Sequence, residues 1–331
     1  MLLSIRTLLF TGLLTVSASI PLQAQFQPYG IDVERIDPAE CNPTLYRSDA
    51  WGSGVGYCPP LEEVKRSGAK WVRFFAMWRW IEPNAPDRTQ ALAGVMGRKS
   101  GLHTYNWDEL DYVVNYVRAR GMNAYIVPMH TPPWANNNPY PNCSPLGQTP
   151  CSPSGQWTVG WYVQNKYDLE DFWYNMASHF SGRVDNYGVW NEPNDAKNYN
   201  TDNIPGGPSN YLNIFVEYYL WTAWTGVKAV NPNIKLFAPE AASTCGVPSN
   251  CSSGTGWFDS WVKPLYQYFS SNFDGISVHR YVSNSGAVKS DMDKVFNLVG
   301  YSKPVWLTEF GFTVASHGQA GQADQINQVY T

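Results

Sequence analysis

The amino-acid sequence predicts an α/β fold, and three observations carry that prediction. Short runs rich in Val, Ile, Tyr and Phe recur along the chain, stretches with apolar residues at helical spacing separate them, and no linker, low-complexity segment or repeat interrupts the alternation. Strand and helix taking turns point to parallel strands joined by crossover helices, since a tight turn cannot join a parallel pair. A chain of 331 residues has room for one large domain or two ordinary ones. The unbroken alternation favours one domain over residues 25–331.

Residues 1–24 hold Arg6, then an apolar run from Leu8 to Ile20 broken by small residues, then Leu22-Gln23-Ala24 as a small-residue cleavage site. This is the pattern of a secretory signal peptide whose removal leaves Gln25 as the first mature residue. The run falls short of the roughly 20 residues that a membrane-crossing helix needs. A secreted protein, extracellular or periplasmic, with no membrane span is expected.

Seven strands are expected, near Gly30 to Val33, Trp71 to Phe75, Ala124 to Pro128, Asn186 to Trp190, Ile234 to Ala238, Gly275 to His279 and Val305 to Thr308. Between the second and third, Asn106 and Glu109 form a capping box. Trp107, Leu110, Val113, Val114 and Val117 then recur at helical spacing until Gly121 stops the run. Phe172, Met176 and Phe180 repeat the pattern before the fourth strand, as Leu212, Phe215, Tyr219 and Val227 do before the fifth. The architecture that fits this order is the eight-stranded (β/α)8 TIM barrel. Only 22 residues follow Glu309 (331 minus 309). A seventh helix, eighth strand and eighth helix would need roughly 40 to 50. Gly321 to Tyr330 reads as the start of the seventh helix, and the eighth strand and helix are expected to be missing.

Composition narrows the function. Hydrophobic residues make up 44% and charged ones 15%, which excludes a disordered chain. The 15 Trp, 21 Tyr and 14 Phe exceed what a core needs, and rings with one polar end suit a wet groove. A net charge of -4 offers no basic field for phosphates, which excludes nucleic acid as a partner. The six cysteines fall into three close pairs, Cys41 with Cys58, Cys143 with Cys151, and Cys245 with Cys251, each bracketing loop-type residues. In an exported chain they read as disulfides, neighbour pairing being one of the several connectivities six cysteines allow. Closing such short loops stabilises by about 2 to 3 kcal/mol each. Without CxxC or clustered His, they are not read as a metal site.

The longest connections, 76–105, 129–167, 191–208 and 239–255, follow strand C-terminal ends, the face on which such a barrel carries its chemistry. The fourth strand runs into Trp190-Asn191-Glu192-Pro193-Asn194 and the seventh into Trp306-Leu307-Thr308-Glu309-Phe310-Gly311. Each places a Glu where a strand stops, and an unpaired carboxylate in a pocket would be costly. Strands four and seven of a closed barrel face each other across its mouth, so Glu192 and Glu309 would meet there. Two facing carboxylates are what cleavage of a glycosidic bond requires. Glu240, in Ala238-Pro239-Glu240, is a rival acid, but it lies beside the fourth strand, which suits substrate binding or structure. Glu82 reads as structural.

With these motifs in view, the sequence resembles the clan A retaining glycoside hydrolases, closest in wording to families 5 and 39, from about Tyr29 to Phe312. The resemblance implies Glu192 as acid/base, Glu309 as nucleophile and Asn191 as the residue that binds the sugar 2-hydroxyl. It also implies Arg73 as support for the nucleophile, His130 as the third-strand His, and His279 and Tyr281 as the sixth-strand pair, with Tyr281 orienting Glu309. An Arg and a Tyr hydroxyl beside Glu309 suit a nucleophile, and no metal or organic cofactor is required. The family's eighth-strand Trp has no counterpart here.

Trp78, Trp80, Trp134, Trp161 and Trp257 lie in expected post-strand loops, where indole faces would stack on the apolar faces of pyranose rings; Trp78 and Trp134 are the foremost candidates. Trp190 and Trp306, inside strands, read as core. The sequence thus predicts a secreted, monomeric O-glycosidase that cleaves a β-linked poly- or oligosaccharide by double displacement. The alternative is a carbohydrate-binding relative in which truncation has impaired turnover.

Overall fold

The computed structural model describes residues 3–4, 30–32, 59–89, 102–136, 162–195, 210–242, 256–300, 302–312 and 314–330. The signal cleavage site, all six cysteines and Trp161 lie outside the described residues.

Seven strands occur where the alternation placed them: β1 (Gly30–Asp32), β2 (Trp71–Met77), β3 (Asn123–Met129), β4 (Asn186–Gly188), β5 (Lys235–Phe237), β6 (Ile276–Tyr281) and β7 (Val305–Gly311). β1 to β5 lie side by side in chain order as parallel neighbours. β6 and β7 also pair in parallel, and bridges from Phe237 to Gly275 and from Ala241 to Val278 join β5 to β6. Leu3–Ser4 adds a short antiparallel segment along the outer edge of β7, opposite Leu307 and Trp306. Among the described residues no ladder joins β7 to β1.

Both faces of this sheet are covered, which is why its strands read as nearly continuous apolar runs. Residues 124–129 of β3 are all buried. Val72, Phe74 and Ala76 of β2 are buried among the apolar residues that pack under the helices. On the other face the sheet curls. Trp306 of β7 meets Trp71 of β2 at 5.0 Å, Tyr125 of β3 at 5.3 Å and Phe237 of β5 at 4.3 Å between ring centroids. Side chains from strands far apart in the order therefore converge in one interior layer. Trp190 and Trp306 are core residues, as expected.

The helices are α1 (Pro59–Arg66), α2 (Asp108–Ala119), α3 (Lys166–His179), α4 (Trp221–Val230), α5 (Lys263–Phe269), α6 (Ser285–Val299) and α7 (Val314–Tyr330). α2 buries Leu110, Val113, Val114 and Val117, the expected stripe, and Gly121 at φ 71 ends its turn. Its start differs from the expected box. Asn106 Oδ1 accepts the Asp108 N–H at 2.9 Å, so Trp107 occupies the cap and the helix opens at Asp108. Tyr211–Phe215 and a π-helical turn, Val216–Leu220, run directly into α4. Gly226 lets α4 approach α3 closely: a Cβ there would sit 2.8 Å from the Glu170 carbonyl oxygen. α7 begins earlier than expected, because Gly318 at φ 66 and ψ 170 joins a first segment to the one foreseen from Gly321. No helix among the described residues is long and apolar enough to cross a membrane.

Candidate active site

Two local irregularities bring the strand-end residues together. The first is on β7. β6 and β7 pair Val278 with Leu307 but His279 with Glu309, so Thr308 is the extra residue of a β-bulge. Regular pairing would have set Glu309 beside Arg280; the bulge re-phases the alternation and sets it beside His279. The second is at the end of β4, where Trp190 (φ 83) and Glu192 (φ 45) both adopt the left-handed backbone region. Side chains other than glycine occupy that region at a cost of about 1 to 3 kcal/mol each, and such strain gathers at functional sites. Asn191, between them, bridges to Glu240 beyond β5, whose N–H donates to the Trp190 carbonyl at 3.3 Å.

The result is one charged network. Arg73, 0% exposed, reaches three residues. Its Nη1 lies 2.8 Å from Glu309 Oε1, its Nη2 donates to Asn191 Oδ1 at 2.7 Å, and its Nε lies 3.2 Å from both oxygens of Glu240. Nη2 also donates to Glu240 Oε2. His279, fully buried, lies between three carboxylates. Its Nδ1 is 2.9 Å from Glu192 Oε1 and 3.4 Å from Glu309 Oε2, while its Nε2 is 3.4 Å from Glu240 Oε2. The Tyr281 hydroxyl donates to Glu309 Oε2 at 3.0 Å. One carboxylate oxygen each from Glu192 and Glu309 and one ring nitrogen of His279 all lie within 4.8 Å of one another. The compactness satisfies the spacing of a metal-ligand set. The same atoms already meet one another, Arg73 and Tyr281, and we assign them no ion.

The electrostatics follow from burial and charge. Burial alone would raise the Glu240 carboxyl, but the Arg73 guanidinium, followed by the bond to His279, takes it down to about 2. Burial alone would lower His279, but the charge of Glu309 and the bonds to Glu192 and Glu240 lift it to about 9. At neutral pH the imidazole is therefore a cation, bonded through Nδ1 to Glu192 and facing Glu240 with Nε2.

Six residues singled out by sequence, Arg73, Asn191, Glu192, His279, Tyr281 and Glu309, are thus brought together. His130 is not seen to bond them. It ends β3 at φ 65, its carbonyl accepts the Arg79 N–H at 3.0 Å, and burial, then the Arg79 charge, push its imidazole down to about 3. Trp78 does not serve as a sugar platform. It is 1% exposed, stacked on Phe172 at 5.1 Å, with its Nε1 donating to Glu82 at 2.7 Å. Trp257 is likewise buried, beneath the guanidinium of Arg280. Trp134 stays half-buried, its Nε1 donating to the Glu82 carbonyl at 2.8 Å. Glu82 is buried and bonded to Trp78 and His103, a structural residue as expected. Sequence reasoning left the position of Glu240 undivided between substrate binding and structure; the Arg73 contact resolves it as a buried ion-pair partner.

The curled parallel sheet thus brings Glu192, from the end of β4, and Glu309, of β7, to one cluster around buried His279. Residues 171–331, a span that includes Glu192 and Glu309, match the family model described as glycosyl hydrolase catalytic core. No curated protein matches the chain. Among solved structures, a glucosidase from Croceicoccus marinus is 15% identical, with 87% of this chain and 52% of that one covered at a TM-score of 0.53. A family 39 β-xylosidase from Caulobacter crescentus is 16% identical, covering 91% and 59% at 0.51. An intracellular xylanase from Thermoanaerobacterium saccharolyticum is 17% identical, covering 91% and 79% at 0.52. At these identities the likeness is one of fold. The chain spans between half and three-fifths of the first two. Family match and fold together make it similar to the clan A glycoside hydrolases of the family 5 and 39 type.

Proposed function

We propose that this chain is a secreted retaining glycoside hydrolase that cleaves β-linked poly- or oligosaccharide, with Glu192 as acid/base and Glu309 as nucleophile. The observation that carries the reading is the approach of the two carboxylates to within 4.8 Å around His279. Retaining enzymes hold the pair about 5 to 5.5 Å apart and inverting ones about 6.5 to 9.5 Å, leaving room for a water. The close spacing supports direct attack by one carboxylate. The fold that would carry this chemistry is the (β/α)8 barrel, of which β1 to β7 supply seven strands.

In the first step a Glu309 oxygen attacks the anomeric carbon, the bond from that carbon to the glycosidic oxygen breaks, and that oxygen takes the proton of Glu192. Oε1 of Glu192 faces His279 Nδ1 at 2.9 Å, a contact that holds this carboxyl beside Glu309. In the second step Glu192 removes a proton from water, the water oxygen attacks the same carbon, and the bond to Glu309 breaks. Two inversions leave the configuration retained. Arg73 and Tyr281 hold Glu309 in the attacking position from two sides. Asn191, its Oδ1 already accepting from Arg73, presents its amide N–H groups to the sugar 2-hydroxyl. Trp80 and Trp134, both half-buried, are the candidate platforms for a neighbouring sugar among the described residues. Signal removal before Gln25, export and a monomeric state complete the proposal.

Replacing Glu309 by Ala should abolish turnover of an aryl β-glycoside, and azide should restore it with an α-glycosyl azide as product. Undiminished turnover would refute the assignment. Glycan binding with no turnover by the unaltered chain would favour the carbohydrate-binding alternative.

A further inference from the structure

Glu240 is a carboxylate that neither step above uses. It is 0% exposed, and it lies behind the pair instead of between them, on the far side of both Arg73 and His279. A buried carboxylate placed so, with no opening to substrate, can act only through the groups it touches. His279 is the one that also touches Glu192 and Glu309.

We propose that Glu240 is a positioning residue for the reaction, which keeps His279 a fixed cation between the two catalytic carboxylates. The inference rests on the roles proposed for Glu192 and Glu309. Before the first step, the pair carries one negative charge, on Glu309, while Glu192 holds a proton. After it, Glu309 is an ester and Glu192 carries the charge. The pair therefore bears one negative charge throughout, and each step moves it across the face of one imidazole ring. His279 Nδ1, 2.9 Å from Glu192 Oε1 and 3.4 Å from Glu309 Oε2, meets that charge at both ends of its path. A neutral ring with its single proton on Nε2 would turn a lone pair toward both carboxylates and oppose the transfer. Nε2 faces Glu240, so an anionic Glu240 both supplies the counter-charge and fixes the second proton.

The groups around this ring come from every strand packed against it. Glu192 approaches from the end of β4, Glu240 from beyond β5, and Glu309 from β7. Arg73 of β2 binds the latter two, and Tyr125 of β3 lies within electrostatic reach of Glu240. Of the carboxylates facing His279, Glu240 alone keeps its charge through the cycle.

The test compares Glu240→Gln and Glu240→Asp with the unaltered enzyme, following kcat and KM on an aryl β-glycoside against pH and the His279 ring nitrogens by NMR. Glu240→Gln should lower kcat by tenfold or more at neutral pH with KM little changed. The His279 midpoint should fall by about one pH unit or more from its position near 9. The deficit in kcat should shrink toward acid pH, where the ring regains its proton, and Glu240→Asp should recover part of the rate. A kcat reduced by the same factor at every pH, or an unmoved His279 midpoint, would overturn the inference. Azide rescue of Glu309→Ala tests the underlying reading by itself. Rescue alongside an unmoved midpoint sinks only the role of Glu240, whereas undiminished turnover of Glu309→Ala sinks the catalytic assignment.

Discussion

Arg73→Met keeps most of the aliphatic stem and removes the one guanidinium that binds Glu240, Asn191 and Glu309 together. The magnitude follows from what is left behind. Glu240 is fully buried, and the Arg73 charge is the largest influence opposing burial on a carboxyl taken from 4.5 to about 2, a change worth about 3 kcal/mol. Breaking a buried pair by removing one partner costs about 3 to 5 kcal/mol, since the survivor keeps its desolvation penalty. We therefore expect Arg73→Met to lose about 3 to 5 kcal/mol in urea unfolding monitored by tryptophan fluorescence. Glu240→Gln in the same background removes the orphaned charge. The double variant should be more stable than the sum of the singles by about 2 kcal/mol. An Arg73→Met protein within about 1 kcal/mol of the unaltered one, or a strictly additive cycle, would refute the reasoning.

Tyr281→Phe deletes the hydroxyl 3.0 Å from Glu309 at a residue 55% exposed, so the fold should persist while kcat falls about ten- to hundredfold. Equal kcat for the two proteins would contradict its orienting role. Gly226→Ala sets a methyl group 2.8 Å from the Glu170 carbonyl oxygen and should cost about 1 to 3 kcal/mol through the contact between α3 and α4. A stabilised Gly226→Ala would show that the helices can part without penalty. Stability should also depend on pH through two groups. His279, raised from 6.5 to about 9, contributes stability fully present below 6.5 and lost as pH rises through 9. Glu240, lowered from 4.5 to about 2, contributes stability present above 4.5 and lost as pH falls toward 2. Melting temperature should therefore be highest between about pH 4.5 and 6.5, and His279→Gln should flatten the alkaline decline. A midpoint that climbs steadily above pH 8 would contradict this sign.

The strands and the two glutamates proposed to act in catalysis were legible because both are local signals. A buried parallel strand is largely apolar, so a charged or titratable residue within it or just beyond its end stands out, as Arg73 and His279 do inside β2 and β6, Glu309 near the end of β7 and Glu192 just past β4. The bulge at Thr308 and the left-handed backbone at Trp190 and Glu192 were not legible. Neither falls on a glycine, and neither leaves a periodic or compositional mark in the sequence. Trp78 misled for a related reason. Its position after β2 satisfied the loop criterion, but the chain there turns into a short helix, Trp78–Ile81, which carries the indole inward onto Phe172. Glu240 was visible as a rival acid, but its partner Arg73 lies 167 residues away in sequence, and no periodicity links the two.

The most direct measurement is to trap the intermediate. An aryl 2-fluoro-β-glycoside should inactivate the enzyme, and peptide mass spectrometry should find the fluoroglycosyl group as an ester on Glu309. Attachment to Glu240 or any other residue, or a first hydrolysis product of inverted configuration seen by proton NMR, would contradict the account.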